Sequence, residues 1–200
     1  KRKIFIEECC KFKHNEENYE GRLTYLMMGF HSVSLSDEDL FALDLLSSIL
    51  GGTNSSRLFR SLYQKKSLVY SINSYNYTPR FPGVFAVSAI VKENKQSEVI
   101  DGIYDEIGKI KKGEVSTEEI SLAKNNLILS YVSNLETIQS QASDFAASEA
   151  LTGNFRFSAH YIEKIKKVTK REIIEAAGKY LKKDNSAVSI PKPVSNDAIG

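Results

Sequence analysis

The sequence is short of the residues from which most catalytic sites are built. Its 200 residues include 3 His, 2 Cys and no Trp, and 27 basic against 25 acidic side chains leave a net charge of only +2. Such a balance argues against a nucleic acid or an anionic membrane surface as the main partner, because both require a net basic field. No apolar run approaches the 18 residues of a membrane span. We therefore expect a soluble chain, in the cytoplasm or the periplasm.

The two cysteines are adjacent, at Cys9 and Cys10. Neighbours on a strand point to opposite faces, so this pair predicts no disulfide, and there is no C-x-x-C motif for redox or zinc chemistry. Two small apolar strand residues are the simplest interpretation. The chain opens with Lys1-Arg2-Lys3, without an initiator Met or a signal-peptide pattern. We therefore interpret it as a piece of a longer polypeptide.

Hydrophobic periodicity predicts one α+β domain, a mostly antiparallel sheet with helices packed on it. Strands are predicted at 3–12, 23–31, 68–77, 84–91 and 187–190, with a turn at 14–21. The strand at 23–31 and the hairpin formed by 68–77 and 84–91 are apolar enough to predict cover on both faces. Helices are predicted at 39–50, after Asn54 or Ser55, from 97, from 116, at 139–151, at 159–168 and at 170–181. The domain is expected to span 1–193, and 194–200 a loose tail.

The sequence contains no local pattern for metal, nucleophilic or phosphate chemistry. His14, His31 and His160 are too far apart for a helical ligand pair, and there is no G-x-S-x-G elbow. The stretch LGGTNSSRLF opens a helix after glycines, but it matches neither the P-loop nor G-x-G-x-x-G. A helix end followed by the cap of the next helix accounts for it.

The segment ALDLLSSILGGTNSSRLFRSLYQKKSLVYSINSY, residues 42–75, resembles the second half-domain of M16 zinc metallopeptidases, the insulinase, pitrilysin and mitochondrial-processing-peptidase group. The flanking runs GRLTYLMMGFH, GVFAVSAIVKENKQSEVIDGIYDEIGKI and STEEISLAKNNLILSYVSNLET extend the resemblance to about 3–193. It implies the half-domain fold of the LuxS/MPP-like metallohydrolase type. It also implies two homologous halves that close around an extended peptide, with an H-x-x-E-H zinc motif in the first half only.

The helix at 39–50, which matches the zinc-motif helix, contains neither His nor Glu. The resemblance therefore implies no metal in this half and zinc in a partner catalytic half, on the same chain or a separate subunit. Active relatives have an Arg and a Tyr in the pattern R-x-x-x-x-x-x-Y that reach the substrate. The Tyr position is Tyr70, whose hydroxyl could donate to the developing oxyanion, whereas Tyr63 occupies the Arg position and Arg60 or Arg57 could substitute. Further residues expected to contact peptide are Gly51, Gly52, Thr53, Asn54, Ser74, Tyr75 and Arg80.

The sequence thus predicts the non-zinc half of an M16-type peptidase. This half would contribute peptide contacts and close the cleft, would hydrolyse nothing alone, and would belong to a zinc metalloendopeptidase. A proteolytically inactive structural, assembly or peptide-binding subunit of the same fold is the alternative, and the change at Tyr63 favours it modestly. An isolated α+β binding module is a third interpretation. Beyond the catalytic half and a peptide, a homodimer is the remaining partner that we consider, and no nucleic acid or membrane is expected.

Overall fold

The computed structural model describes residues 13–19 and 22–193. Five strands form one sheet in the order β1-β5-β2-β4-β3. Their bounds are β1 Lys13–Tyr19, β2 Thr24–His31, β3 Val69–Tyr77, β4 Val84–Val91 and β5 Ser186–Pro193. β1 runs parallel to β5 and the other neighbours are antiparallel. The predicted fold class is confirmed, and so is the hairpin of β3 and β4.

Within those same residues there are six α-helices. Their bounds are α1 Leu40–Gly51, α2 Gln96–Lys111, α3 Thr117–Ser133, α4 Ile138–Thr152, α5 Phe157–Lys167 and α6 Lys170–Tyr180. A π-helix, Phe59–Lys65, precedes β3, and a single 3₁₀ turn, Lys183–Asn185, precedes β5. The short helix predicted after Asn54 or Ser55 is therefore present, but with i→i+5 winding, which is rare in proteins.

Helices α3 and α6 begin at capping boxes. Ser116 accepts the Glu119 N–H, and the Glu119 carboxylate accepts the Ser116 N–H. Thr169 and Glu172 form the same reciprocal pair at the start of α6. Each box satisfies two backbone donors that the first helical turn otherwise leaves unpaired. Both boundaries therefore have a local origin in the sequence.

The core lies on one face of the sheet, between the strands and the helices. β2 alternates buried and exposed residues, and Leu26, Met28 and Phe30 point into the core. Tyr25 and Met27 point the other way and are 43% and 42% exposed. The prediction that this strand and the hairpin are covered on both faces is wrong for the described residues. The apolar run of β2 instead creates an open sheet face that is unusually rich in aromatic and thioether groups.

The turn predicted at 14–21 is wrong, because most of this segment belongs to strand β1. Its sequence, KHNEENY, has no apolar alternation, yet Lys13 to Tyr19 pair residue by residue with Ala187 to Pro193. Lys192 on β5 also donates to Glu16 across the two strands. An edge strand needs main-chain partners rather than a buried face, so hydrophobic periodicity misses it. The strand predicted at 3–12, with Cys9 and Cys10, and the tail predicted at 194–200 lie outside the described residues.

Candidate functional site

The helix that matches the family's zinc-motif helix is part of the core. Every residue of α1 except Asp44 is buried, and Leu43, Leu45, Leu46 and Leu50 are completely so. Asp44 is the one residue of α1 with a metal-ligating side chain. Within 13–19 and 22–193 no group of three or more His, Cys, Asp and Glu side chains could hold a metal ion. The described part of this chain therefore does not fit the zinc site implied for the other half.

The Asp44 carboxylate is committed to a hydrogen-bond network. It accepts Asn76 Nδ2 from β3 at 2.8 Å and the Tyr161 hydroxyl from α5 at 2.6 Å. Asn76 Oδ1 in turn accepts the Ser32 hydroxyl at 2.6 Å. Burial raises the pKa of Asp44 to about 6, because the two hydrogen bonds only partly offset the loss of water. Burial and the Asp44 charge also raise the pKa of Tyr161. The network ties α1 to β3 and α5.

Gly51 and Ser74, two of the predicted peptide contacts, meet where α1 packs on β3. A Cβ on Gly51 would lie 2.5 Å from the Ser74 amide nitrogen, so only glycine allows this approach. The buried Ser74 hydroxyl donates to the Ser47 carbonyl at 2.8 Å. Both residues therefore have a packing role. Gly52 is exposed, and its N–H bonds back to the Ser48 carbonyl at the end of the helix.

The two candidate arginines are held by carboxylates of the helical layer. Arg57 is 10% exposed and bonds both Glu119 oxygens, at 2.9 and 2.7 Å, while Glu106 lies 3.9 Å from its guanidinium. Arg60, 50% exposed, bonds Glu119 at 3.1 Å. Burial opposes ionisation of Glu119, but the hydrogen bond and charge of Arg57 outweigh it and hold the pKa of that carboxyl below its usual value. Arg57 is thus a buried structural cation, whereas Arg60 keeps an accessible side.

Tyr63, at the family's Arg position, lies in the π-helix and stacks on Phe59. Their ring centroids are 4.5 Å apart and the planes differ by 20°. The Lys66 N–H reaches back to the Ser61 carbonyl at 3.1 Å, the i→i+5 bond that continues the π winding. Tyr63 is 41% exposed. It offers an aromatic surface where the family pattern has a charge.

Tyr70 is the extra residue of a β-bulge. Val69 pairs with Val91 and Ser71 with Ile90, so nothing on β4 stands opposite Tyr70. Bulges redirect side chains and are common beside active sites. The Tyr70 side chain is 57% exposed, and the Lys92 ammonium lies 5.7 Å from its ring centroid. The structure thus presents Tyr70 outward on the edge strand, with a cation over its face.

The predicted site residues therefore separate into two groups. Gly51, Ser74 and Arg57 are engaged in packing, whereas Tyr63 and Tyr70 are exposed near the start of β3. Tyr75 lies on the open sheet face with its hydroxyl 3.8 Å from the Met27 sulfur, and Arg80 is exposed in the β3–β4 loop. Thr53 and Ser55 bond each other beside Asn54. These groups do not form one pocket.

Sequence reasoning missed Lys92. Its N–H donates to the Leu68 carbonyl at 3.0 Å, which extends the hairpin ladder one residue beyond Val69–Val91. A hairpin register counted from the β3–β4 loop, where Tyr77 pairs with Val84, would have placed 92 opposite 69 rather than 68. The bulge, which no local pattern predicts, then brings the Tyr70 ring over Lys92.

A fold and site of this kind define a half-domain whose zinc-motif helix carries no ligands. The sequence model of the family described as the peptidase M16 inactive domain matches residues 5–127. The chain belongs to this family. The M16 resemblance is thereby confirmed.

The chain is similar to a zinc protease of Bacillus subtilis, YmxG, with 24% identity over 177 residues, 88% of this chain and 43% of that protein. It is also similar to mouse mitochondrial cytochrome b-c1 complex subunit 2, with 22% identity over 83% of this chain and 38% of the subunit. A protease from Helicobacter pylori has a similar crystal structure, with TM-score 0.85, 25% identity and coverage of 94% of this chain and 45% of that one. The chain spans about half the length of the curated relatives it matches.

Within the described residues, no helix combines the length and apolar character that a bilayer span requires.

Proposed function

We propose that this chain is the non-zinc half of an M16-type zinc metallopeptidase, where it contacts peptide substrate and closes the cleft over a catalytic half carrying H-x-x-E-H. The observation that carries the proposal is the outward Tyr70 at the bulge of the edge strand, at the position of the family's substrate-contacting Tyr. Zinc in the other half would supply an activated water. The Tyr70 hydroxyl would donate to the scissile carbonyl oxygen as negative charge develops there.

The edge of β3 supports a peptide role. β3 pairs with β4 on one side, and no described strand pairs with it on the other. Its exposed side chains are Ser, Asn and Tyr, and β3 has none of the lysines or prolines that commonly protect an edge. An extended peptide added there would gain main-chain hydrogen bonds and pass Tyr70 at the start of the strand.

The open sheet face supports contact with the catalytic half. A groove on this face is lined by Tyr25, Met27, Ser88, Ile90 and Pro191, among others. Partly apolar faces of this kind mark protein interaction sites. We expect Met27→Glu to weaken association with the catalytic half about tenfold or more. Leu122→Glu, an equally exposed position on α3, is the control and should leave association unchanged.

The direct test is reconstitution with the catalytic half and measurement of peptide cleavage. Tyr70→Phe removes one hydroxyl from an exposed ring, so kcat/KM should fall about tenfold with little change in the free energy of unfolding. Tyr77→Phe, an equally exposed tyrosine at the far end of β3, is the matched control. Unchanged kcat/KM for Tyr70→Phe would refute a transition-state contact. We expect no hydrolysis by this chain alone, with or without added zinc.

A proteolytically inactive structural or assembly subunit is the second candidate. Two observations favour it: Tyr63 replaces the family's Arg, and one relative is a subunit of the cytochrome b-c1 complex. In that case the chain would bind its partner through the open face, and neither Tyr70→Phe nor Tyr63→Phe would alter any cleavage rate. A complex that assembles but cleaves no peptide would favour this candidate. Self-association in sedimentation experiments would instead indicate a homodimer.

A further inference from the structure

We propose that Tyr70 and Lys92, with Lys65 and Lys66, form a subsite for a carboxylate of the bound peptide. The carboxylate would belong to an Asp or Glu side chain or to the peptide's C-terminus. This inference rests on the proposed peptide-binding function and specifies the substrate class at the same strand edge. In this subsite Lys92, directly after β4, would supply the positive charge that the family pattern places at the Arg position.

The first argument is that, in the part of the chain that the structure describes, no carboxylate compensates the Lys92 charge. Within the described residues no carboxylate lies within ion-pair distance of its ammonium, although Glu93 is its neighbour in sequence. Lys95, three residues further on, is by contrast paired with Glu98 at 2.7 Å. An ammonium has three donors, and one placed over a ring face keeps donors free for an incoming acceptor. Lys92 is therefore a cation available to a ligand.

The second argument is the position of the phenol. The bulge turns Tyr70 outward, and the Lys92 ammonium lies over its face rather than at its rim, so the hydroxyl is left to the solvent side. A carboxylate has two oxygens. One can accept from the ammonium and the other from the phenol, a charge-assisted pairing that a neutral amide cannot match in strength.

The third argument is that two more lysines are held at the same end of the sheet. Lys65 ends the π-helix and Lys66 caps it. Ser67, with φ 51°, turns the chain directly into β3, and the Leu68 N–H donates to the Leu62 carbonyl at 2.8 Å. Both lysines are exposed and, in the described part of the chain, neither has an acidic partner. Three cations at the start of an edge strand attract an anionic group before contact and select it on contact.

The substrate class follows from where the cluster lies. A peptide paired along β3 in extended conformation meets the lysines at one end of the strand, because Lys65 and Lys66 lie just before β3 and the Lys92 N–H bonds the Leu68 carbonyl. The favoured peptide thus carries its negative charge at the end that lies over Tyr70. A basic side chain at that position would be repelled.

The test uses three acetylated decapeptides of Ala, Ser and Val, titrated into the 200-residue chain and followed by NMR. One has a central Asp and an amidated C-terminus, one has Asn and an amidated C-terminus, and one has Asn and a free C-terminal carboxylate. We expect at least one carboxylate peptide to bind about tenfold more tightly than the neutral one, as a charged hydrogen bond provides. The preference should weaken as salt is raised. The two charged peptides distinguish a side-chain carboxylate from a terminal one.

Lys92→Met keeps the aliphatic stem and removes the charge, so it should abolish the preference while leaving affinity for the neutral peptide within about twofold. Lys112→Met, an exposed lysine at the end of α2, is the matched control and should keep the preference. Equal binding of all three peptides, or an unchanged preference in Lys92→Met, overturns the inference and leaves the proposed function standing. If the unchanged chain binds none of the peptides, the proposed peptide-binding function fails with it.

Discussion

The two ends of β3 differ in what their side chains contact. Toward its C-terminal end, Ser74 and Asn76 are locked to α1, the helix that in the family's other half would hold zinc. At its N-terminal end, Tyr70 bulges outward beside Lys92, whose ammonium has no carboxylate partner among the described residues. In this chain α1, which the resemblance matches to the zinc-motif helix, serves as core. The residues available to a ligand lie instead at the strand end that the helix does not cover. Changes at the first end should therefore affect stability, and changes at the second should affect binding.

The largest expected loss of stability is for Arg57→Met. It leaves Glu119 and Glu106 without their buried cation, and breaking a buried pair typically costs ~4 kcal/mol. Arg60→Met removes an exposed partner of the same Glu119 and should cost less than about 1 kcal/mol. Urea denaturation of both variants measures the difference. Equal losses would show that Arg57 is not the structural cation and would restore it as a candidate for substrate contact.

Gly51→Ala should cost ~3 kcal/mol, because the added methyl meets the β3 backbone and overpacking forces the two elements apart. Gly108 is the control, since a Cβ there meets no atom within 4 Å. Gly108→Ala, within α2, should stabilise by up to about 1 kcal/mol through helix propensity. Thermal unfolding of the pair checks both signs. A neutral Gly51→Ala would contradict the close approach of α1 to β3.

Asp44 makes stability depend on pH. The pKa of Asp44 is raised to about 6 in the folded chain. Its contribution to the free energy of unfolding is therefore fully present below about pH 4, where the carboxyl is protonated, and is lost as pH rises through 6. Since part of the residue reaches the surface, we expect this group to lower the free energy of unfolding by ~2 kcal/mol between pH 4 and 7. Asp44→Asn should flatten that part of the profile. Denaturation at a series of pH values is the measurement, and an unaltered slope in the variant would exclude Asp44 as its source.

The smallest change in the free energy of unfolding is expected at the N-terminal end of β3, where the bulge lies. Tyr70→Phe alters an exposed ring, and Lys92→Met alters a half-buried side chain that has no ion-pair partner among the described residues, so each should change the free energy of unfolding by less than about 0.5 kcal/mol. The same denaturation assay serves for both. A larger loss in either variant would mean that this end of β3 is packed rather than poised for a ligand.

The features of this fold that are local in sequence could be predicted. The two capping boxes and the burial of α1 follow from residues within one or two helical turns. β1 could not, since its polar side chains show no period and its structure comes from pairing with β5. The open sheet face was missed for a related reason: an apolar run does not reveal whether a second layer exists to cover it.

The candidate site was predictable only in part. Tyr70 came from the family pattern, but its exposure depends on a bulge set by the register of β3 against β4. Lys92 is 22 residues away in sequence and reaches Tyr70 only through that register. Likewise, the sequence leaves Arg57 free to contact substrate, whereas in the structure its guanidinium bonds Glu119 on α3. Contacts between distant elements decide which polar residues are free, and a single sequence does not contain them.

The central claim is that α1 is structural in this half and that Tyr70 is functional. One experiment compares Asp44→Asn with Tyr70→Phe in the complex reconstituted with the catalytic half. For each variant, kcat/KM for peptide cleavage and the pH dependence of the free energy of unfolding are both measured. The account predicts that Tyr70→Phe lowers kcat/KM about tenfold and leaves unfolding unchanged. It predicts that Asp44→Asn flattens the pH dependence of unfolding and leaves kcat/KM unchanged. Loss of kcat/KM in Asp44→Asn with full activity in Tyr70→Phe would contradict it.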